Sequence, residues 1–176
     1  TARQYPSCLF PGKSQWEPGR GPNDLTCPAL LDSLAPWSWR QTGRALATAG
    51  PTELLILPFW HSALAPALAG VAAEARKQGV SQVLGLMHNA SSHDGNRRDR
   101  WLAAKFMRSC DQLVTLSASV GESLKPWAST SLFHPLYTHL DLGPSREIAR
   151  ARLGLDPNAH VHLFFGLIRP YKGLHV

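Results

Sequence analysis

Short apolar runs alternate with amphipathic stretches of helical period between residues 53 and 133, and this alternation restricts the chain to few folds. The apolar runs cover residues 54–57, 82–87, 112–116 and 131–133. Between them, apolar side chains recur at helical spacing over residues 64–75 and 102–110. Strands that alternate with helices of this length predict parallel βαβ units with right-handed crossovers. We therefore predict an α/β fold, with a Rossmann-like parallel sheet and helices on both faces.

The carboxyl ends of the predicted strands are where such a sheet binds its ligands. The side chains that follow these ends are Trp60, His61, His88, Asn89, Ser117, Ser119 and His134. We expect His61 and His134 to be structural. Trp60 either packs against an acceptor or covers the core, and its position favours the core. For His88, position alone favours a histidine satisfied by the local backbone.

The first 52 residues contain several prolines and glycines, which predict long loops. Inside this region, residues 30–34 indicate a short buried strand. A helix is expected to start near Pro36, with Ser38 as its cap. A further short helix is expected after Ser117 or Ser119, one of which caps it, and Pro126 closes it.

A connector rich in Pro and Gly over residues 136–144 indicates a domain boundary, which gives a first domain at 1–140 and the start of a second at 141–176. In the second domain, Ser145 should cap a helix that runs to Leu153 and ends at Gly154. Residues 161–165 predict a buried strand that does not belong to the first sheet.

The turn after that strand carries glycines and cations, namely Gly166, Arg169, Lys172 and Gly173. Backbone N–H groups at a strand-to-helix turn, together with two cations, form a site for a diphosphate. The alternative is a tight turn with basic residues on its surface. Neither GxGxxG nor GxxxxGK[ST] occurs.

The segment Phe164-Phe165-Gly166-Leu167-Ile168-Arg169-Pro170-Tyr171-Lys172-Gly173-Leu174 resembles the first loop of the donor domain in glycosyltransferase family 4. The end of the run at 82–87, followed by His88-Asn89, is similar to the place where that family presents a histidine to the donor sugar. Arg152-Leu153-Gly154-Leu155 resembles the family's approach to the loop, and segments near Tyr5 and Trp37 resemble one bacterial branch. Many members place an arginine directly after the loop glycine, where this chain has Leu167 and its arginine comes at Arg169.

The resemblance implies a retaining glycosyltransferase of the two-domain GT-B architecture, which moves a sugar from a nucleotide-sugar donor to a hydroxyl acceptor. His88 would be catalytic, and Gly166, Arg169, Lys172 and Gly173 would bind the donor diphosphate. The family's acidic pair would lie beyond Val176, so we expect this chain to be a fragment without transferase activity. The rival interpretation is a non-catalytic Rossmann-like protein that binds a phosphate ligand.

The chain has 18 Lys and Arg residues against 12 Asp and Glu residues, which gives a formal charge of +6. This excess of positive charge favours an anionic binding partner. The basic stretch Arg97, Arg98, Arg100, Trp101, Lys105 and Arg108 is either a solvated helix face or a surface for peripheral membrane contact. No nucleic-acid module is recognised, so nucleic acid is not expected. His93 and Asp94 lack a third ligand at metal spacing, so we expect no metal and no cofactor.

The three cysteines, Cys8, Cys27 and Cys110, show no CxxC spacing and predict neither a disulfide framework nor a zinc site. No run approaches the roughly 18 apolar residues that a membrane span needs. The expected location is therefore the cytoplasm, with possible contact at the inner membrane surface.

Overall fold

The computed structural model describes residues 28, 30–48, 50, 52–90, 96–125, 127–135, 143–165 and 173–174. Its backbone contacts divide the chain into two compact units, Thr1–Pro135 and Leu136–Val176. In the described residues, no helix has both the length and the apolar character needed to cross a membrane.

The first unit is built on a parallel sheet of four strands in the order β1-β2-β3-β4. The strands are β1 (Leu54–Phe59), β2 (Gln82–Met87), β3 (Gln112–Thr115) and β4 (Thr130–Ser131). Leu54 pairs with Gln82, and Leu84 pairs with Gln112. Each strand therefore lies beside the next one in the chain, which places all their carboxyl ends at one edge. The predicted α/β fold with a parallel sheet is confirmed.

Helix α1 (Pro36–Thr48) precedes β1. The helices that connect the strands, as the βαβ pattern predicts, are α2 (Ala65–Lys77), α3 (Arg97–Met107) and α4 (Ala118–Ser123), with a short 3-10 helix (Ser62–Leu64) before α2. Pro66 lies in the first turn of α2, where its missing N–H costs no hydrogen bond. Ser117 occupies the N-cap position of α4, but its side chain makes no capping hydrogen bond.

The core lies between one face of the sheet and the connecting helices. Burial alternates along β1, where Leu55, Leu57 and Phe59 are buried. Phe59 stacks on Phe106 of α3 with ring centroids 4.8 Å apart. The opposite face of β1 carries Leu54 and Ile56, which are exposed. That helices also cover this second face stays a prediction.

The region before β1 is more regular than the sequence predicts. Residues 30–34 are not a strand, and α1 fills 13 residues of the predicted loop region. The N–H of Leu34 donates to the Asp32 carboxylate at 2.9 Å, which makes an Asx-type turn, and Pro36 then supplies a φ suited to a first helical residue. Ser38 lies inside α1 and not at its cap. Its hydroxyl donates to the Ala35 carbonyl at 2.7 Å and accepts from the Asp32 N–H at 3.0 Å.

The fourth strand is shorter than its apolar run. It ends at Ser131, and the following Leu132 and Phe133 are exposed, Phe133 by 82%. Only the Leu132 N–H continues the ladder, by donating to the Thr115 carbonyl at 2.8 Å.

The second unit contains the predicted helix, α5 (Arg146–Leu153). Its caps are confirmed: the Ser145 hydroxyl accepts from the Ile148 N–H, and Gly154 ends the helix with a left-handed φ of 66°. The predicted buried strand at 161–165 is wrong, because these residues are exposed and not in a strand. A strand needs a neighbour for its N–H and C=O groups, and the described residues of this unit supply none.

Candidate functional site

His88 lies immediately after β2, at the carboxyl edge of the sheet. Its backbone N–H donates to the Phe59 carbonyl at 2.8 Å, so the β1–β2 ladder fixes the backbone of His88 one residue past the strand. Its imidazole is exposed and meets the Trp60 ring edge-on, with centroids 6.4 Å apart and planes at 73°. The ring is therefore oriented by a neighbour and open to solvent, as a group that contacts a ligand must be.

The residues beside His88 hold the local backbone. The Asn89 side-chain amide donates to the Trp60 carbonyl at 2.9 Å, which joins the segments that follow β1 and β2. His61 caps the 3-10 helix, since its Nδ1 accepts from the Ala63 N–H at 3.1 Å. Trp60 packs against the core cluster and is half-buried. Asn89 and His61 thus act as scaffold, whereas the His88 ring is available.

The end of β3 offers hydroxyl groups that are already engaged. Thr115 is fully buried, and its Oγ1 lies 2.9 Å from Ser131 Oγ and 3.1 Å from the Ser117 carbonyl. Gly121 of α4 packs on this pair, because a Cβ there would lie 2.6 Å from Ser131 Oγ. The Ser117 and Ser119 hydroxyls lie 2.9 Å from each other. His134 is exposed, with its Nδ1 2.9 Å from the Pro135 carbonyl.

The first turn of α3 is anchored to the segment after β1. The buried Ser62 hydroxyl donates to the Asp99 carboxylate at 2.6 Å. Asp99 also closes a capping box with Asn96. This contact joins residues 37 positions apart, and no local pattern in the sequence indicates it. The contact between Ser62 and Asp99 places the basic first turn of α3 beside the segment that follows β1.

A cavity of about 240 Å³ opens near this edge, between α3 and α4. Its lining includes Ala90, two residues after His88, the apolar side chains Met107 and Leu124, and the cations Arg100 and Lys125, of which Lys125 pairs with Glu122. A lining that combines buried apolar side chains with the exposed cation Arg100 suits a ligand that has both an apolar and an anionic part.

A larger groove of about 690 Å³ lies between α1 and α2, on helical turns away from the strand ends. Its buried carboxylate, Glu74, is engaged by Arg44 at 2.8 Å and by Lys77 at 3.6 Å. The hydrogen bond from Arg44 lowers the pKa of Glu74, which keeps it ionised and paired. The carboxylate of this groove is thus already engaged by cations, and no residue of a strand end lines the groove.

The predicted phosphate loop lies largely outside the described residues: Gly166, Arg169 and Lys172 are in the undescribed part of the chain. Gly173 is described and has a φ of 71°, a conformation that L side chains rarely adopt. Its donor-binding role stays a prediction, as does the role of His88. His93 and Asp94 are also undescribed.

No set of three or more potential metal-ligating side chains occurs in the described ranges. The free thiol of Cys110 is half-buried under α3, and burial raises its pKa to about 11. A raised pKa keeps this thiol protonated at neutral pH, and the protonated form is a weaker nucleophile than the thiolate.

Comparisons with protein-family models, curated protein sequences and solved structures gave no match to this chain.

Proposed function

We propose that this chain is the acceptor-side part of a glycosyltransferase that moves a sugar from a nucleotide-sugar donor to a hydroxyl acceptor, with retention. One observation supports it most: the His88 imidazole stands exposed at the carboxyl edge of a parallel sheet, with its backbone fixed by the Phe59 carbonyl and its ring against Trp60. Ligands of such sheets bind at this edge. The resemblance of the segments around His88 and Gly166 to glycosyltransferase family 4 supplies the reaction.

In this proposal, the bond between the sugar's anomeric carbon and the donor phosphate breaks, and a bond from the same carbon to the acceptor oxygen forms. The acceptor proton passes to the departing diphosphate or to solvent. Lys172, Arg169 and the amides after Gly166 stabilise the charge that builds on the diphosphate, without a metal or another cofactor. His88 forms a hydrogen bond either with a hydroxyl of the transferring sugar or with the departing phosphate.

The acceptor is proposed to be a sugar or a lipid-linked sugar. The cavity lined by Ala90 supports this class, because its lining combines the buried apolar side chains Met107 and Leu124 with the exposed cation Arg100. A cytoplasmic location is part of the proposal and is supported by the free, half-buried thiol of Cys110.

The test uses the intact protein that contains this chain. We expect it to transfer sugar from one member of a panel of nucleotide sugars, and His88→Ala to lower turnover at saturating donor by about 100-fold, within the range of general acid–base and oxyanion contacts. His134→Ala is the matched control, because His134 is also an exposed histidine near a strand end. It should leave turnover unchanged.

Donor binding is measured separately, by calorimetric titration with nucleoside diphosphate. A charge-assisted hydrogen bond is worth about 1.5–3 kcal/mol, so Lys172→Ala should weaken binding roughly ten- to a hundredfold. Arg169→Ala should cost less, since Leu167 stands where an arginine is usual. Nucleotide binding without transfer to any acceptor would favour the non-catalytic phosphate-binding protein instead. If His88→Ala abolished nucleotide binding and Lys172→Ala did not weaken it, the assignment of the donor and acceptor sides would have to be reversed.

A further inference from the structure

Helix α3 presents a continuous basic surface to solvent. At about 100° per residue, its five cations and Trp101 fall within an arc of about 160°. We call this surface the α3 basic face, and it consists of Arg97, Arg98, Arg100, Trp101, Lys105 and Arg108. The other side of the helix carries the buried Ala103 and Phe106, so the core fixes which residues face outward.

The charges of this face are not neutralised within the described residues. None of its five cations forms an ion pair there. Asp99, the acid of α3, is directed to Ser62 and to the Asn96 cap. The face therefore presents five positive charges, and its natural complement is an anionic surface.

An indole lies in the middle of these cations. Trp101 is 61% exposed, and the Lys105 ammonium lies 5.8 Å from its ring centroid. Transfer of an exposed indole from water to an apolar phase is favourable. Indoles prefer the headgroup level of a bilayer, and cations beside them reach the lipid phosphates.

We propose that the α3 basic face docks the first unit on the surface of an anionic bilayer, with Trp101 at the headgroup level. A nucleic acid would also complement the positive charge of this face. Unlike a bilayer, however, it has no apolar layer in which the exposed Trp101 side chain could be buried. The proposal goes beyond the glycosyltransferase proposal and does not depend on it, because docking requires no donor, acceptor or turnover.

The test is sedimentation of the full 176-residue chain with vesicles of phosphatidylcholine, either pure or mixed with an equal amount of phosphatidylglycerol. We expect binding only to the mixed vesicles. It should disappear as salt rises from about 0.1 M to about 1 M, where the Debye length falls from about 10 Å to about 3 Å. Arg97→Gln with Lys105→Gln should weaken binding by about 25-fold, at about fivefold per cation. Trp101→Ala should weaken it further.

Helix α1 offers a matched control. Trp37 is 69% exposed and lies one turn from Arg40, so Trp37→Ala with Arg40→Gln removes an exposed indole and a neighbouring cation from another helix. These control substitutions should leave vesicle binding unchanged, and circular dichroism checks that each variant is folded. Equal loss from the α1 and α3 variants, binding to pure phosphatidylcholine, or no binding at all would overturn the proposal. So would tight binding to duplex DNA that the α3 variant abolishes while vesicle binding persists.

Discussion

Residues 82–87 and residues 161–165 are both short apolar runs, yet only the first is a strand. Strand β2 has a partner on each side, with Leu84 paired to both Ile56 and Gln112 in one ladder. Residues 161–165 have no such partner among the described residues, and Phe165 is 92% exposed. Apolar composition alone therefore does not produce a strand; neighbouring strands must satisfy its backbone groups.

The two units differ in the same way as these segments. The first unit has a core in which α2 and α3 cover one face of the sheet. In the second unit, the described helix α5 has no buried residue and depends on its own caps, Ser145 and Gly154. One unit is stabilised by tertiary packing and the other by local hydrogen bonds, and each kind of support predicts a different response to substitution.

The largest effect is expected from the core of the first unit. Phe106→Ala removes a fully buried ring that stacks on Phe59, and such changes cost about 3–5 kcal/mol. All six tryptophans lie in the first 135 residues, so chemical unfolding followed by tryptophan fluorescence reports on this unit. Leu153→Ala in α5, where the side chain is exposed, should change this free energy of unfolding by no more than about 0.5 kcal/mol. A similar loss from both variants would show that the units unfold together.

The next effect comes from a glycine that lets two helices approach. A Cβ on Gly43 of α1 would lie 2.8 Å from Glu74 Cβ and 2.9 Å from the Val71 carbonyl oxygen of α2. Gly43→Ala should therefore lower the free energy of unfolding by about 1–3 kcal/mol, although alanine favours a helix by about 1 kcal/mol. Gly154→Ala is the counterpart in α5: its Cβ would meet nothing within 4 Å, so only the left-handed backbone is strained. Stabilisation by Gly43→Ala would contradict the close contact of α1 with α2.

These contrasts also separate what the sequence predicts from what it does not. The bounds of β2 coincide with its apolar run, and α5 begins and ends at Ser145 and Gly154, because a cap is a local signal. The predicted strands at 30–34 and 161–165 are wrong because pairing depends on partners that a single segment does not encode. In the first of these, the Asp32 turn and Pro36 favour the start of a helix instead.

In the candidate site, too, some features can be predicted from the sequence and others cannot. The position of His88 at a strand end follows from periodicity, and the structure places it there. The contacts that support this edge, Asn89 with Trp60 and Ser62 with Asp99, join residues 29 and 37 positions apart. Such pairs depend on the folded sheet and have no sequence pattern. The functional roles of His88, Gly166, Arg169, Lys172 and Gly173 stay predictions.

A smaller and purely local effect is expected at the start of α5. Ser145→Ala removes the hydroxyl that accepts from the Ile148 N–H, and loss of such a cap costs about 1 kcal/mol of helix stability. Amide exchange in residues 146–153 should accelerate about fivefold, while the tryptophan-monitored unfolding of the first unit stays the same. Ser117→Ala is the matched control, since Ser117 is an N-cap residue without a capping hydrogen bond. It should change exchange in α4 much less.

The smallest effect is a pH dependence at the start of β2. The Asp111 carboxylate accepts from the Val83 N–H and from Arg76, each at 2.7 Å, and these bonds, the Val83 one first, lower its pKa. Because the pKa is lower in the folded chain than in the unfolded chain, the ionised carboxylate stabilises the fold above the usual Asp pKa of about 3.9. That stabilisation is lost as pH falls through the depressed value. Asp111→Asn should therefore lower the free energy of unfolding modestly at pH 7, since the side chain is 43% exposed, and the difference from the parent should vanish in acid.

The counterpart of Asp111 in the second unit is Glu147, whose pKa is lowered by the backbone N–H of Glu147 and by the Ser145 hydroxyl. Its titration stabilises only the first turn of α5. Glu147→Gln should therefore leave the tryptophan-monitored unfolding curve unchanged at every pH and alter amide exchange in α5 alone. An acid-dependent shift of that curve in Glu147→Gln would mean that the local caps of α5 also contribute to the stability of the packed sheet. The contrast between a unit held by its core and a helix held by its caps would then be wrong.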